Sequence, residues 1–283
     1  MSYAARQINL LFRSSAGVLE LNGLQVSAVI NLAGGTQCSA RLQMHIWGMT
    51  LQQMDQYSSV GSQLVAVAEN SVTVMAGNQG APMSNAFEGT IYRAFMDFSS
   101  IPNVAFVVSG VAGLYQRALP SVPNQYAGPH AAENIIATLA QRGGFLFVNA
   151  GGAHAILRDQ YVYGSVVQQI EQVAAAAGFP VEIAKGTVTI WPNLGFRDTL
   201  VIPVNASLGM VGYPTYYEAG FIVKTQYNPD IEMGRQIQLA STIPKANGLW
   251  PVQTVTHELS TQQQGGPWFT TARLAPPPYV AQN

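Results

Sequence analysis

No apolar stretch in this chain runs to the roughly 18–20 residues that a membrane-spanning helix needs, because Gly, Asn, Gln or Ser interrupts every one. Yet 48% of the residues are hydrophobic and only 10% are charged, where soluble domains carry about 25% charged residues. Such a chain is expected to hide much of its surface against something other than lipid. Partner subunits are the better explanation, since obligate interfaces are more apolar than ordinary surface. The N-terminal sequence MSYAARQINLLFRSSAG has no sustained apolar core and no clean small-residue cleavage site, so no signal peptide is expected.

The net charge is −1, and the 13 basic residues are scattered singly. Nucleic-acid binding needs clustered Lys and Arg to neutralise phosphates, so no specific binding is expected. The single Cys38 forbids an intramolecular disulfide and points to assembly in a reducing compartment. It sits in the alternating run TQCSARLQMHIW and reads as a small buried hydrophobe. With 283 residues, two or three compact units are expected.

The first part reads as β structure. LQVSAVINL and SARLQMHIWGM alternate or are β-branched, with Gly34-Gly35 between them. Leu51, Met54 and Tyr57 are spaced three apart and predict a short helix closed by Gly61. Strand-like LVAVAE, SVTVMAG, AFEGTIYRAFMDFS and VAFVVSGVAGLY follow, which together suggest a sandwich or barrel. The stretch 117–129, with three prolines, reads as a linker. Beyond it, Ala132, Ile135, Ile136 and Leu139 share one helical face, and Val166, Val167, Ile170, Val173 and Ala174 share another, closed by Gly178. FLFVN lies between these helices, and VEIA and TVTIWP flank the turn Lys185-Gly186, giving a small α+β unit. The last part returns to β with FIVKTQYNP, QIQLAST, LWPVQTVTHELS and PWFTTARL. The fold class is therefore α+β, mainly β, with units at 1–120, 121–200 and 201–283. The two β units suggest duplication, but no fixed-period identity accompanies it.

Reactive constellations are not evident. His45, His130, His154 and His257 lie outside metal-ligand spacing of one another, and His45 and His257 read as structural strand residues. The paired glycines of AGGTQC, RGGFLF and NAGGAH match neither GxGxxG nor GxxxxGK[ST], and turns explain them. Glu218, Asp230 and Glu258 read as solvated rather than catalytic. No metal, no cofactor and no enzyme activity is expected.

The most informative stretch is C-terminal. It contains, in order, Gly209-Met210-Val211-Gly212-Tyr213-Pro214, Asn228-Pro229, Gly234, Gly248-Leu249-Trp250-Pro251-Val252, His257 with Leu259, and Gly266-Pro267-Trp268-Phe269-Thr270. This series resembles the last domain of baseplate or tail hub proteins of long-tailed bacteriophages, contractile or related. Gly209, Met210, Gly212, Pro214, Asn228, Pro229, Trp250, His257 and Trp268 carry the match. The α+β insert whose second helix begins near Gly164-Ser165 fits the same family, and EGTIYRAF resembles a strand of tail-tube-like barrels. The resemblance implies two tail-tube-like β-barrel domains, 1–120 and 201–283, around the insert domain 121–200. It also implies a homotrimeric, pseudo-sixfold ring that joins the tail tube, or a distal tail protein, to a central spike and lets DNA pass. A tape-measure protein and other baseplate proteins are further implied partners. No membrane partner is implied, and the location is the virion tail tip or baseplate, with assembly in the host cytoplasm. Pro251 removes a ladder donor, which a strand tolerates mainly at an edge or bulge.

Two other readings differ in class. HAAENIIATLAQRGGFLFVN followed by GSVVQQIEQVAAAAGFPVEI is similar to the small α+β repeats of secretion-channel proteins, which form periplasmic rings. Those chains carry a signal peptide and tandem repeats, and neither is expected here. A tail-associated cell-wall hydrolase would need a carboxylate pair or metal set, and none is recognisable.

Overall fold

A computed structural model describes residues 5–14, 17–32, 39–59 and 70–276. Cys38, Gly34-Gly35, Gly61 and the strand expected at LVAVAE lie outside them. The first segment contains β1 (Arg6–Ser14), β2 (Gly17–Asn22), β3 (Gln25–Leu32), β4 (Arg41–Trp47), α1 (Leu51–Tyr57), β5 (Ser71–Asn78), β6 (Ser84–Asp97), β7 (Ala105–Val111) and α2 (Leu114–Ala118). The middle segment contains β8 (Asn124–Ala131), α3 (Ala132–Arg142), β9 (Leu146–Asn149), β10 (Ile156–Val162), α4 (Val166–Ala177), β11 (Val181–Ala184) and β12 (Thr187–Ile190). The last contains β13 (Val201–Val204), β14 (Thr215–Tyr217), β15 (Gly220–Gln226), β16 (Gln236–Leu239), β17 (Gly248–Thr261) and β18 (Trp268–Leu274).

The molecule is mainly β, built on one 13-stranded sheet that uses both ends of the chain. Alternation makes the strands: Ile8, Leu10 and Phe12 of β1, Val26, Ala28 and Ile30 of β3, and Leu42, Met44 and Ile46 of β4 all point into one core. The join between the chain's ends is the antiparallel pairing of β3 with β17, from Val255 opposite Leu32 to Thr261 opposite Val26. β17 is long because it changes partner, running beside β16 along residues 248–251 and beside β3 along 255–261. Pro251 sits next to the bulge between Val252 and Thr254, the kind of place where a missing ladder donor is tolerated.

The sheet repeats itself. Neighbouring strands read β14-β15-β18-β17 and then β3-β4-β7-β6. Numbered in chain order within each block, both read first, second, fourth, third. The third strand of each block, β6 or β17, has 14 residues, and the fourth, β7 or β18, has 7. β6 and β17 each carry a bulge midway, and each pairs antiparallel through its first half with a strand outside the block, β5 or β16. Because all pairings along the blocks are antiparallel, a shift of four strands maps each strand onto one of the same direction. The sequence carries no such period.

Helix α1 begins with a capping box between Thr50 and Gln53. Met54 and Tyr57 turn inward, Tyr57 against Phe12 with ring centroids 5.2 Å apart. Leu51, expected on the same face, is exposed, because steps of three fall short of a full 3.6-residue turn and the face drifts. The helix ends at Tyr57, with Ser58 as its cap. In the middle segment α3 and α4 bury the faces that the spacing predicts. β11 and β12 form a hairpin whose Lys185 and Gly186 both have positive φ, 52° and 70°, the geometry of a type I′ turn. β9 adds to β12 in parallel.

The expected linker is instead structured. Residues 124–131 form β8, paired with β10 in a separate two-stranded sheet. Pro129 is accommodated opposite Arg158 because a two-stranded ladder consists only of edges, and Asp159 Oδ1 accepts the Gly128 N–H at 2.8 Å across the adjoining irregularity. The middle segment docks on the main sheet through Ile183, whose carbonyl accepts the Ala40 N–H at 3.1 Å.

Helix α4 is held at its start by a capping box in which Ser165 and Gln168 exchange hydrogen bonds. Ser165→Ala is expected to lower stability by roughly 1 kcal/mol, read as a fall in the denaturant midpoint at unchanged slope.

Candidate functional site

Strand alternation sends every second residue of the repeated blocks away from the core, onto a face against which, among the described residues, no helix packs closely along β3, β4, β17 and β18. One register row runs Lys224, Thr271, Thr256, Asn31, Arg41. A second runs Phe269, Glu258, Val29, Gln43, Ser109, Arg93. Thr256 Oγ1 donates to Asn31 Oδ1 at 2.9 Å across the β3–β17 join. Lys224 lies over the Phe269 ring at 4.3 Å and reaches Glu258 at 3.3 Å. His45 stacks on Trp47 along the same face, with centroids 6.0 Å apart. Hydroxyl and amide groups dominate, and Arg41 and Arg93 are set singly.

The nine motif residues do not converge on one point. Asn228, His257 and Trp268 gather around Tyr227 and Thr270. The Thr270 hydroxyl accepts the Asn228 N–H at 3.0 Å and lies 2.9 Å from His257 Nδ1. The Tyr227 ring meets His257 edge-on at 5.2 Å and Trp268 at 5.4 Å. Its hydroxyl reaches Ser84 Oγ at 2.8 Å, so this knot ties the last segment to β6 of the first. Arg6 covers the outer side of Trp268 at 5.7 Å. Pro229 continues from Asn228 into an Asx turn in which Asn228 Oδ1 accepts the Asp230 N–H. Gly209 and Met210 lie along β15, where the Gly209 carbonyl accepts the Gln226 N–H at 2.8 Å. Gly212 has φ 73° in an exposed loop, and Pro214 is buried. Trp250 stands apart, donating to the Ala246 carbonyl at 2.9 Å and meeting Phe221 edge-on at 5.0 Å. Sequence reasoning named Thr270 only as the last residue of the Gly266–Thr270 element, and passed over Tyr227 and Ser84. Only the position of Tyr227 before Asn228-Pro229 could have marked it.

An ionic cluster forms where the β11–β12 hairpin meets the last segment. Arg197 bridges Glu182 at 2.5 Å and Glu232 at 3.5 Å, Lys185 holds Glu232 at 2.8 Å, and Arg235 pairs with Asp198 at 2.7 Å. Burial pushes the Glu182 carboxyl pKa up despite Arg197. Burial also opposes the Glu232 charge, but Lys185, Arg197 and Arg235 outweigh it and hold its pKa below the usual value. Gly234 packs beside this cluster at φ +83°, and a Cβ there would lie 2.8 Å from the Trp191 ring.

Among the described residues no three His, Cys, Asp or Glu side chains form a group that could hold a metal ion. His154 pairs with Glu133 at 2.5 Å, and His130 bonds the Ala127 carbonyl. Among the described residues no helix is long and apolar enough to cross a membrane.

The family model described as baseplate hub gp41 matches residues 24–273. No curated protein matches the sequence. Among solved structures, a tail protein from Neisseria meningitidis MC58 superposes with a TM-score of 0.64 at 9% identity, over 96% of each chain. The 43 kDa tail protein of prophage MuSo2 from Shewanella oneidensis gives 0.62 at 7% identity, over 96% of this chain and all of that one. An E. coli component of the type VI secretion system, described as structurally similar to the T4 bacteriophage tail proteins gp27 and gp5, gives 0.58 at 12% identity, over 96% of this chain and 79% of that one. These likenesses concern the fold.

Burial of His257 drives its pKa down from 6.5 to about 3, with Lys185 adding to the effect. The unfolded state therefore binds more protons between those values. The contribution is whole above about pH 6.5 and is lost at about 1.4 kcal/mol per unit as pH falls toward 3. Replacing the ring by His257→Gln is expected to flatten the stability profile by about that slope between pH 6 and 4, measured by urea unfolding at several pH values.

Proposed function

The chain belongs to the baseplate hub gp41 family, and from that premise we propose that it is the non-enzymatic hub subunit of a phage tail, three copies of which form a pseudo-sixfold ring. The repeated strand order is the observation that carries the reading. A ring facing a sixfold tube on one side and a threefold spike on the other needs each of three chains to present two similar modules. The blocks β14-β15-β18-β17 and β3-β4-β7-β6 are two such modules, related by a shift that preserves strand direction. In this proposal residues 1–120 and 201–283 are the two tube-like domains, each completed toward a barrel by the flanking strands. Residues 121–200 stand beside the ring as the insert. The uncovered polar face is the lumen wall. Its cations are few: Arg41 and Arg93 stand apart, Arg273 lies over the Tyr217 ring, and Lys224 is held by Glu258, so it offers passing DNA little positive charge on which to stall.

The tail tube or a distal tail protein, the central spike, a tape-measure protein and other baseplate proteins are the proposed partners, in a virion tail assembled in the host cytoplasm. The low charge of the whole chain supports a life in contact with them. The job needs complementary surfaces and no catalytic group.

Light scattering of the purified protein mixed with its spike is expected to give three copies per complex, and a strict monomer that binds no tail component would sink the ring. Purified protein is also expected to leave peptidoglycan intact in a turbidity assay. Clearing that disappears on changing one acidic residue would overturn the non-enzymatic reading.

A further inference from the structure

The seam between the middle segment and the last one holds unused space. One register row of the three-stranded sheet β11-β12-β9 runs Glu182, Thr189, Val148, and Thr187 and Leu146 lie beside it on the same face. Facing them is Arg197, which donates to Glu182 and Thr189. A cavity of about 120 Å³ lies here, and a more open hollow of about 760 Å³ adjoins it, with Val148 and Arg197 as their common wall. Glu182 is 3% exposed, and its Oε1 has no hydrogen-bond partner among the described residues, while Oε2 is taken by Arg197. On β9 and the loop that carries Phe196, Leu146, Val148 and Leu194 are 71%, 45% and 76% exposed. Water would satisfy Oε1 but would leave these apolar groups bare. The seam asks for an occupant with an apolar body and a hydrogen-bond donor at its tip, which is the chemistry of tyrosine.

We infer that the occupant is this chain's own segment 277–283, PPYVAQN, which lies outside the described residues, with Tyr279 as the side chain that enters the seam. The place where it starts is fixed. The Ala275 N–H donates to the Pro251 carbonyl, and Gln253 Nε2 donates to the Ala275 and Pro276 carbonyls. On its other side Pro251 pairs with Gln236, which lines the larger hollow. Two strand spacings therefore separate Ala275 from the hollow, about 10 Å. Tyr279 lies four residues beyond Ala275, and a polyproline path covers about 12 Å over that stretch. The reach is sufficient.

The repeated strand order gives a second, independent reason. Matching the bulges of β6 and β17 sets Gly110 against Leu274, Val111 against Ala275 and Gly113 against Pro277. In the first block the stretch after the last strand packs on the middle segment, where a Cβ on Gly113 would lie 3.2 Å from both Ile183 and Phe145. Pro277 cannot copy the turn made there, because Gly113 has φ +68° and a proline ring fixes φ near −65°. The matching stretch of the second block is therefore an extended strap, with no counterpart of α2. Its composition suits the seam. Residues 275–283 contain no Asp, Glu, Lys, Arg or His, so they leave the pairing of Arg197, Lys185 and Arg235 with Glu182, Glu232 and Asp198 undisturbed. With Tyr279 seated, its ring covers Val148 and Phe196 and its hydroxyl donates to Glu182 Oε1. The strap ties the end of β18 to β9 and closes the seam.

In a chain with Cys38→Ser, Val148→Cys together with Tyr279→Cys is expected to oxidise to a disulfide within one chain, read as a faster-migrating monomer on a non-reducing gel. Leu249→Cys with Tyr279→Cys is the control for a segment that swings free, since Leu249 is exposed and lies two residues from Pro251, within the same reach. That pair is expected to oxidise at least tenfold more slowly. Equal rates at the two sites, or no bond at residue 148, overturn the inference. Disulfide-linked dimers or trimers would assign the seam to a neighbour's segment and overturn it too. The native side chain is tested separately, by hydrogen exchange of residues 146–149. Tyr279→Ala is expected to speed exchange there at least tenfold, and Tyr279→Phe to speed it less, because the ring stays and only the hydroxyl bond is lost. Neither variant alters a described core residue, so the wild-type melting temperature is expected within a few degrees. Exchange that is the same in the wild type and Tyr279→Ala also defeats the inference.

Discussion

The pairing of β3 with β17 is the constraint on which the rest of the molecule depends. It joins residues more than 220 positions apart, as the Thr256–Asn31 bond with its separation of 225 illustrates. Such a contact forms only after the whole intervening chain has been ordered or looped out, so it is entropically expensive and slow to form. Once made, it converts two ordinary β units into one continuous surface. Three further bonds reinforce it at one end: Thr261 Oγ1 to the Leu24 carbonyl, Gln262 Nε2 to the Gly23 carbonyl, and Arg6 to the Gly266 carbonyl. The Tyr227–Ser84 bond adds a second tie nearby. In the ring proposed above such rigidity would matter, because a flexible hinge between the two blocks would let them drift out of step with a sixfold tube.

Much of this could be read in the sequence, and the parts that could not share a physical cause. Helices α3 and α4 are legible because 3.6-residue periodicity is local: Ile135, Ile136 and Leu139, or Val166, Val167 and Ile170, declare their face without reference to anything distant. The β11–β12 hairpin is legible for the same reason, since Lys185-Gly186 sets its register. The four C-terminal runs that alternate all form strands. What escapes is whatever depends on a partner elsewhere. β8 carries Pro129 and Gly128 and reads as a linker until β10, itself a weak run of ILRDQYV, is laid beside it. β14 has only three residues and becomes a strand by leaning on β15. The repeated strand order is invisible because it resides in pairing order and bulge position, neither of which requires any particular side chain.

The motif residues show the same division. Gly209, Asn228, His257 and Trp268 mark the C-terminal segment in the linear sequence, but their spacing did not reveal that Tyr227 and Thr270 organise three of them. The hydroxyl of Thr270 serves the Asn228 backbone and the His257 ring together, and Tyr227 packs both His257 and Trp268. His257 is thus held neutral in the interior, consistent with a packing role and unsuited to proton transfer near neutrality.

The ionic cluster at Arg197 raises a different question, because buried ion pairs seldom add net stability over apolar residues of similar volume. Its placement offers an answer. Glu182 and Lys185 belong to the β11–β12 hairpin, whereas Glu232 and Arg235 belong to the loop before β16. An apolar contact between these segments would tolerate sliding, since dispersion is non-directional. Arg197, by contrast, must meet Glu182 and Glu232 together, and Lys185 must reach the same Glu232. Two shared partners fix both distance and rotation. The cluster is therefore better understood as orienting the middle segment against the sheet than as strengthening the molecule. Gly234 permits the approach by letting Trp191 lie against bare backbone. The middle segment is also tied to the first segment, through Ile183 and Ala40. With anchors on both of the repeated halves, it bridges them independently of the β3–β17 pairing.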